Sequence, residues 1–217
     1  MQIDWGIVEM ALPLLARGSL VTIQISISSA IIACLLGFAI GLASLSNVRM
    51  LRWMAGAYVD FIRGTPLLIQ IFLVFFVLPL VGIRLSEIWA GIIALAVNGA
   101  AYIAETVRGG VGSIERGQTE AAKSIGMTTP TILTYILLPQ ALRQMVPPLT
   151  NELITLTKNS SLLSVISVYE LTRAGQAIIS VHFVPFEIFT MIALYYYVII
   201  KSLSWLSRRL EQRLPAW

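Results

Sequence analysis

The chain has 217 residues, of which 57% are hydrophobic and 12% are charged, and its mean hydropathy is +0.83. Soluble domains carry about 25% charged residues, so this composition excludes a soluble globular protein and indicates an integral membrane protein. We attribute the net charge of +4 to basic loops on one membrane face rather than to nucleic-acid binding. The single cysteine, Cys34, excludes an internal disulfide.

Uncharged runs predict the membrane-spanning helices. Residues 18–45, 64–83 and 88–104 are each long enough for a helix to cross a hydrocarbon core of about 30 Å. In the second half, where prolines and charges interrupt the pattern, we predict a short interfacial helix over 130–138 and spans over about 140–157 and 186–206. Residues 1–17 would then be an external segment, 18–210 one all-α membrane domain, and 211–217 a cytoplasmic tail.

The distribution of Lys and Arg predicts the orientation. With five spans, the loops on the side of the C-terminus hold Arg49, Arg52, Arg108, Arg116, Lys123, Arg143, Lys201, Arg208, Arg209 and Arg213. The opposite loops hold only Arg17, Arg84, Lys158 and Arg173. Because cytoplasmic loops are enriched in basic residues, we predict a cytoplasmic C-terminus and an external N-terminus.

A polar segment, residues 113–139, separates the third and fourth predicted spans. Ser113 is a candidate N-cap and Gly126 a natural stop, which together predict one short helix over 113–125. Ala121 and Ala122 would let another backbone approach this helix closely, so it is suited to docking. The alternative is an ordinary interfacial helix that only joins two spans.

Several motifs resemble one transporter family. Glu120-Ala121-Ala122-x-x-x-Gly126, followed by Ile136-Leu137-Leu138-Pro139, resembles the EAA loop of permease subunits in binding-protein-dependent ABC importers. FIRGTP at 61–66 and NGAAYIAE at 98–105 look like the polar amino acid uptake branch, which includes histidine, glutamine, arginine and cystine permeases. The likeness runs essentially end to end, and includes LPQALR at 138–143 and NSSL at 159–162. It implies a type I importer transmembrane domain with five spans and an external N-terminus.

The resemblance also implies partners. The helix bearing Glu120, Ala121, Ala122 and Gly126 would dock on a separate cytoplasmic ATPase and transmit its movement to the spans. The other implied partners are an extracytoplasmic solute-binding protein and a second permease subunit, identical or paralogous. The subunits would lie in the lipid of a bacterial inner (plasma) membrane. No Gly-x-x-x-x-Gly-Lys-Ser/Thr phosphate loop occurs, so we expect ATP to be bound by the partner and no cofactor by this chain. The lone His182 does not predict a metal site.

Polar residues in the predicted spans are candidates for substrate contact, because placing them in lipid is costly. Asn98, Tyr102 and Glu105 share one face of the third span. Glu152, Thr155 and Asn159 share one face of the fourth, so the two faces could border one water-filled cavity. The predicted substrate-binding residues are Thr65, Gln70, Asn98, Tyr102, Glu152, Thr155 and Ser160. Hydrogen bonding between helices is the alternative, above all for Asn98 and Thr155.

Two charged residues have different expected roles. Glu152 needs a cation, and Lys158, the nearest in sequence, lies off its helix face, so a transported α-ammonium or basic side chain would answer the need. The resemblance favours a basic amino acid such as arginine, histidine or lysine, with glutamine or cystine as alternatives. Arg63 is expected to pair with Asp60 or to extend to the cytoplasmic interface, beside a break of the second span at Pro66.

Other functions fit less well. A secondary transporter would show internal repeats, and five spans do not divide into equal halves. A membrane enzyme would need a catalytic constellation, which the sequence does not offer. A membrane-scaffold subunit is the remaining alternative. The outer segment 158–185, with a helix over about 167–180, would receive the binding protein. The sequence therefore predicts the non-catalytic permease subunit of an ATP-driven amino acid importer.

Overall fold

The computed structural model describes residues 4–212, apart from the side chains of residues 133, 210 and 211, and within them the secondary structure is helical. The predicted tail residues 213–217, and residues 1–3 of the predicted external segment, lie outside this part. The α-helices are α1 Trp5–Ser44, α2 Arg49–Arg63, α3 Leu67–Phe72, α4 Glu87–Gly112, α5 Arg116–Ser124, α6 Thr129–Ile132, α7 Leu138–Asn159, α8 Leu171–His182 and α9 Pro185–Glu211.

Three of these helices, α1, α4 and α9, are long and apolar enough to cross a membrane. The bent pair of Arg49–Arg63 and Leu67–Val81, in which α3 continues as π and 3-10 turns, adds a fourth candidate. Helix α7 is 22 residues long, which is about 33 Å, but it carries Arg143, Glu152 and Lys158 and is not apolar enough to pass the same test. The fifth span therefore stays a prediction.

Contacts between the long helices show their relative directions. Gly37 and Gly41 of α1 pack against Ile103 and Val107 of α4, so these two helices run parallel. Along α7, Met145 meets Gly110 of α4 and Leu156 meets Gly99, which makes this pair antiparallel. Thr150 of α7 is hydrogen-bonded to Ser207 of α9. Farther along α7, Thr157 lines one groove together with Ile199 of α9, so α9 runs antiparallel to α7. This order of directions is the one that five successive crossings require.

Small residues allow α1 and α4 to approach closely. A Cβ atom at Gly37 would lie 2.6 Å from the Ile103 side chain and 2.9 Å from the Ala100 carbonyl oxygen. At Gly41 it would lie 2.6 Å from Val107. Between helices in lipid the hydrophobic effect gives no drive for association, so close backbone packing of this kind supplies much of the attraction.

The second span breaks where the sequence predicts it. Gly64 follows the last residue of α2, Pro66 precedes α3, and the pair Arg49–Arg63 and Leu67–Val81 is bent by 104°. Proline has no N–H to donate to the carbonyl four residues earlier, which here belongs to Ile62. The Gln70 side chain donates to that oxygen instead, at 2.8 Å. A side chain of the next helix thus satisfies the carbonyl that the proline leaves free.

Several predicted boundaries are displaced. Helix α1 begins at Trp5, with the Asp4 side chain accepting from the Ile7 amide, so residues 5–17 continue the first long helix rather than preceding it. The predicted interfacial helix and fourth span are joined, because α6, a π turn at Leu133–Leu137 and α7 follow one another without a break. Apolar periodicity alone did not reveal either continuation, since charges and prolines interrupt it.

The segment predicted to be external forms a 3-10 turn at Ser160–Ile166 and helix α8, which begins at Leu171, later than predicted. Glu170 caps α8 and is fully buried. It accepts hydrogen bonds from the Arg173 amide at 2.8 Å, the Tyr196 hydroxyl at 2.9 Å and Thr22 at 3.4 Å. Burial raises the pKa of the Glu170 carboxyl, and the hydrogen bonds oppose this rise. One carboxylate thereby ties α8 to α1 and α9.

Candidate functional site

A pocket of about 320 Å³ lies beside the break of the second span, between α4 and α7. Its lining comes from α2, α4 and α7, and consists of Arg63, Tyr102, Glu105, Thr106, Pro148, Asn151, Glu152 and Thr155. The two polar helix faces expected to border one cavity do so at Tyr102 and Glu105 on one side and at Glu152 and Thr155 on the other. Three of the predicted substrate residues, Tyr102, Glu152 and Thr155, thus come together here.

The pocket contains charges of both signs. Glu105 is held by Arg108, whose Nε donates to Oε2 at 3.1 Å and whose Nη2 contacts Oε1. Arg63 lies farther from Glu105, with Nη1 at 3.9 Å from Oε2, and its guanidinium covers the Tyr102 ring at 5.5 Å. Among the described residues Arg63 forms no ion pair with Asp60, so that alternative was wrong, and the extension of Arg63 to the cytoplasmic interface stays a prediction. The neighbour of Arg63 is Glu105 because α2 packs across α4.

Thr65, Gln70 and Asn98 form a separate hydrogen-bond network. Gln70 Nε2 donates to Thr65 Oγ1 at 2.8 Å, and Asn98 Nδ2 donates to Gln70 Oε1 at 3.0 Å. Gln70 and Asn98 are only 6% and 5% exposed, and none of the three residues borders the pocket. The network fastens the broken span to α4, as the interhelical alternative for Asn98 proposed. Substrate contact by these residues stays a prediction that this geometry does not favour.

Ser160 is also remote from the pocket. It is fully buried in the 3-10 turn after α7, and its hydroxyl donates to the Thr157 carbonyl at 2.8 Å. This position differs from the expected cavity lining because the regular α-helix ends at Asn159, so Ser160 no longer continues the polar face of α7.

The polar segment after α4 forms the short helix α5, within narrower bounds than predicted. Ser113 ends α4 instead of capping α5, since its hydroxyl donates to the Gly110 carbonyl at 2.8 Å and also contacts Gln144. Ala122 is 3% exposed, so it faces the protein's own interior rather than a partner. Ala121 and Glu120 are exposed, and Ile125 beyond the helix end is 78% exposed. The surface available for docking therefore includes Ala121 but not Ala122.

Gly126 terminates α5 as predicted. It has a φ of 83°, a left-handed conformation that glycine adopts without steric cost. Its amide donates to the Lys123 carbonyl at 3.0 Å, and the Met127 amide donates to the Ala122 carbonyl at 3.1 Å. These two bonds form a Schellman cap, after which the chain continues into α6.

The sequence matches a protein family described as binding-protein-dependent transport system inner membrane component, over residues 33–215. The chain belongs to this family. It is 38% identical over 216 residues to the glutamine transport system permease protein GlnP of Escherichia coli K12, covering 99% of each chain. It is 34% identical over 217 residues to the arginine transport system permease protein ArtQ of Bacillus subtilis 168, covering 100% of this chain and 99% of that one.

Solved structures agree with the family. The permease superimposes on a chain from a crystal structure of an amino acid ABC transporter with histidines with a TM-score of 0.92, at 36% identity, covering 99% of this chain and 100% of the other. It shares the fold of the MetNI methionine ABC transporter with a TM-score of 0.77 at 22% identity, covering 94% and 98% of the two chains. The predicted all-α type I importer domain is thus confirmed, and the chain is a permease of an amino acid ABC importer.

Sequence reasoning missed part of the pocket lining of the permease. The residues that border the pocket but were not among the predicted substrate residues are Arg63, Glu105, Thr106, Pro148 and Asn151. Glu105 had been placed on the polar face of the third span, and Thr106 and Asn151 stand next to Glu105 and Glu152, so this adjacency was a usable signal. Nothing in the sequence around Arg63 indicated that it shares a pocket with residues of α7.

Proposed function

We propose that this permease carries a polar amino acid, and a basic one such as arginine, histidine or lysine in preference, through the pocket between α4 and α7. The observation that supports this is Glu152, a carboxylate that lines the pocket and has no hydrogen-bond or ion-pair partner among the described residues. A carboxylate at bilayer depth is unfavourable without a counter-charge, and a passing ammonium or guanidinium group would provide one. Glutamine and cystine are the alternative cargoes, because their α-ammonium groups could serve as well.

The proposed assembly has several components. A cytoplasmic ATPase would bind the exposed face of α5 and hydrolyse ATP, so that the permease itself catalyses no reaction and binds no cofactor. A solute-binding protein would deliver the amino acid at the outer surface, and a second permease subunit, identical or paralogous, would complete the pathway in the lipid of the bacterial inner membrane. The exposed Ala121 and Glu120 and the absence of a phosphate loop in the sequence support this division of labour.

Reconstitution tests the proposed function. The permease, its ATPase and its solute-binding protein would be placed in proteoliposomes, and uptake of labelled arginine, histidine, lysine, glutamine and cystine would be measured with and without ATP on the ATPase side. We expect uptake of one or more of these amino acids that requires both ATP and the solute-binding protein. Uptake driven by an ion gradient without ATP would instead support a secondary transporter, and no uptake of any amino acid would contradict the proposal.

The preference for a basic cargo has its own test. Glu152→Gln should weaken arginine binding to the permease–ATPase complex, measured without the solute-binding protein, by about tenfold or more relative to glutamine binding, because a charged hydrogen bond is lost. Glu87→Gln, at the exposed start of α4, is the control and should change neither affinity. If Glu152→Gln leaves the ratio of the two affinities unchanged, Glu152 does not select a basic cargo.

A further inference from the structure

The guanidinium of Arg63 lines the pocket without donating a hydrogen bond to the described residues. Its side chain is 44% exposed and donates no hydrogen bond to any residue that the structure describes, although a guanidinium carries five N–H donors. No ion pair joins Arg63 to Glu152 within residues 4–212, even though both line the same pocket. The pocket therefore presents a cation and an anion, from α2 and α7, that do not neutralise each other.

The neighbouring Glu105 does not occupy the hydrogen-bond donors of Arg63. Glu105 has one negative charge, and Arg108 already contacts both of its oxygens. The separation of 3.9 Å between Arg63 Nη1 and Glu105 Oε2 is too long for a hydrogen bond. Arg108 does not line the pocket, whereas Arg63 does. Glu105 thus supplies a favourable field to Arg63 while leaving its donors free.

Tyr102 fixes the position of the free guanidinium. The ring centroid lies 5.5 Å from Arg63 Cζ, within the range of a cation–π contact. Such a contact uses the face of the guanidinium and leaves the N–H groups at its edge available. The planar fork formed by those groups matches a carboxylate, which it can bind through two parallel hydrogen bonds.

We propose that Arg63 binds the α-carboxylate of the transported amino acid, with Tyr102 supporting the guanidinium and Glu152 facing a cationic group of the same substrate. This inference rests on the proposed function, since it names the part of the amino acid that one side of the pocket recognises. Every α-amino acid carries this carboxylate, so Arg63 confers a preference for amino acids over amines or amides without selecting among side chains. The selection among cargoes is left to Glu152 and the remainder of the lining.

Paired ligands test the role of Arg63. Equilibrium binding to the purified permease–ATPase complex, without the solute-binding protein, would be measured for L-arginine and L-glutamine and for argininamide and glutaminamide, which lack the carboxylate. The wild-type complex should bind at least one amino acid about ten- to hundredfold more tightly than its amide, the range expected for charged hydrogen bonds. In Arg63→Gln this ratio should fall to about one. In Arg63→Lys, which keeps the charge but not the fork, it should be intermediate.

Arg84→Gln is the control. It removes a guanidinium from an exposed position before α4, outside the pocket, so the acid-to-amide ratio should stay at the wild-type value. Thermal unfolding of each complex identifies variants that fail to fold, and for those the ratio in Arg63→Lys decides the question. An unchanged ratio in the folded Arg63 variants, or an equal fall in Arg84→Gln, overturns the carboxylate assignment. Failure of the wild-type complex to transport any amino acid is a separate result, which contradicts the proposed function itself.

Discussion

Gln70 is the residue that repairs the break in the second span. Its amide nitrogen replaces the donor that Pro66 lacks, and its oxygen accepts from Asn98 on α4. The side chains of Gln70 and Asn98 are both buried, so removing either one leaves a polar atom of the other without its hydrogen-bond partner in an apolar environment. The Gln70 side chain thus satisfies the Ile62 carbonyl that Pro66 leaves free, and it also holds α3 against α4.

Replacing Gln70 should destabilise the permease. Gln70→Met keeps the side-chain length but leaves the Ile62 carbonyl with only the Thr65 hydroxyl at 3.4 Å and the Asn98 side-chain amide without its acceptor, at a cost of about 1–3 kcal/mol. Thermal unfolding in detergent would measure the change against Gln24→Met, an exposed position on α1. Equal unfolding temperatures for the two variants would show that the network contributes no stability.

At the scale of single elements, the glycines of α1 determine how closely it packs on α4. Gly37→Ala would place a Cβ 2.6 Å from Ile103, and the backbone oxygen of Ala100 at 2.9 Å prevents a simple side-chain adjustment. We expect a loss of about 1–3 kcal/mol in the free energy of unfolding, as for other overpacked sites. Gly109→Ala on α4, where no atom lies within 4 Å of the new Cβ, should be neutral or slightly stabilising in the same unfolding assay.

Helix α5 should be required for transport but not for membrane insertion. Glu120→Lys reverses an exposed charge, and Gly126→Asp places a side chain at a φ of 83° that favours glycine, at about 1 kcal/mol of strain. We expect both variants to reach the membrane in normal amounts and to lose ATP-driven uptake. Wild-type coupling of ATP hydrolysis to uptake in these variants would contradict the coupling role.

The exposed face of α5 makes a distinguishable cross-linking prediction. In a Cys34→Ser background, Ala121→Cys should cross-link to the ATPase with a short bifunctional thiol reagent, because Ala121 is exposed. Ala122→Cys should not, because Ala122 is 3% exposed and faces the protein interior. Capture through Ala122 but not Ala121 would mean that the partner binds a different face.

At the scale of the whole molecule, the relative directions of α1, α4, α7 and α9 are compatible with five crossings, because α1 and α4 run parallel while α7 runs antiparallel to both α4 and α9. One such bundle borders only part of a pathway, so the pocket would be completed by a second permease subunit related by symmetry or pseudo-symmetry. Two copies of α5 would then contact two ATPase subunits.

Site-directed labelling tests the predicted orientation. In the Cys34→Ser background, Arg84→Cys before α4 should react with an impermeant maleimide added outside intact cells, because its loop is predicted to be external. Lys123→Cys in α5 should react only after the membrane is opened. Labelling of both positions from the same side would exclude an odd number of crossings between them.

The sequence by itself determined the features that depend on local signals. Composition established a membrane protein, Pro66 marked the break in the second span, and Gly126 marked the end of α5, because each signal acts through the backbone within a few residues. The EAA resemblance identified the family, which the matched residues 33–215 confirm.

Only the tertiary structure decided which polar side chains face the pocket. Gln70 and Asn98 satisfy each other in the interior, while Arg63, rather than Lys158, is the cation that shares the pocket with Glu152. The reason is physical: a helical repeat states which residues lie on one face, but not which other helix that face meets. The packing of α2 on α4, which brings Arg63 into one pocket with α7 residues, depends on contacts between residues far apart in the chain.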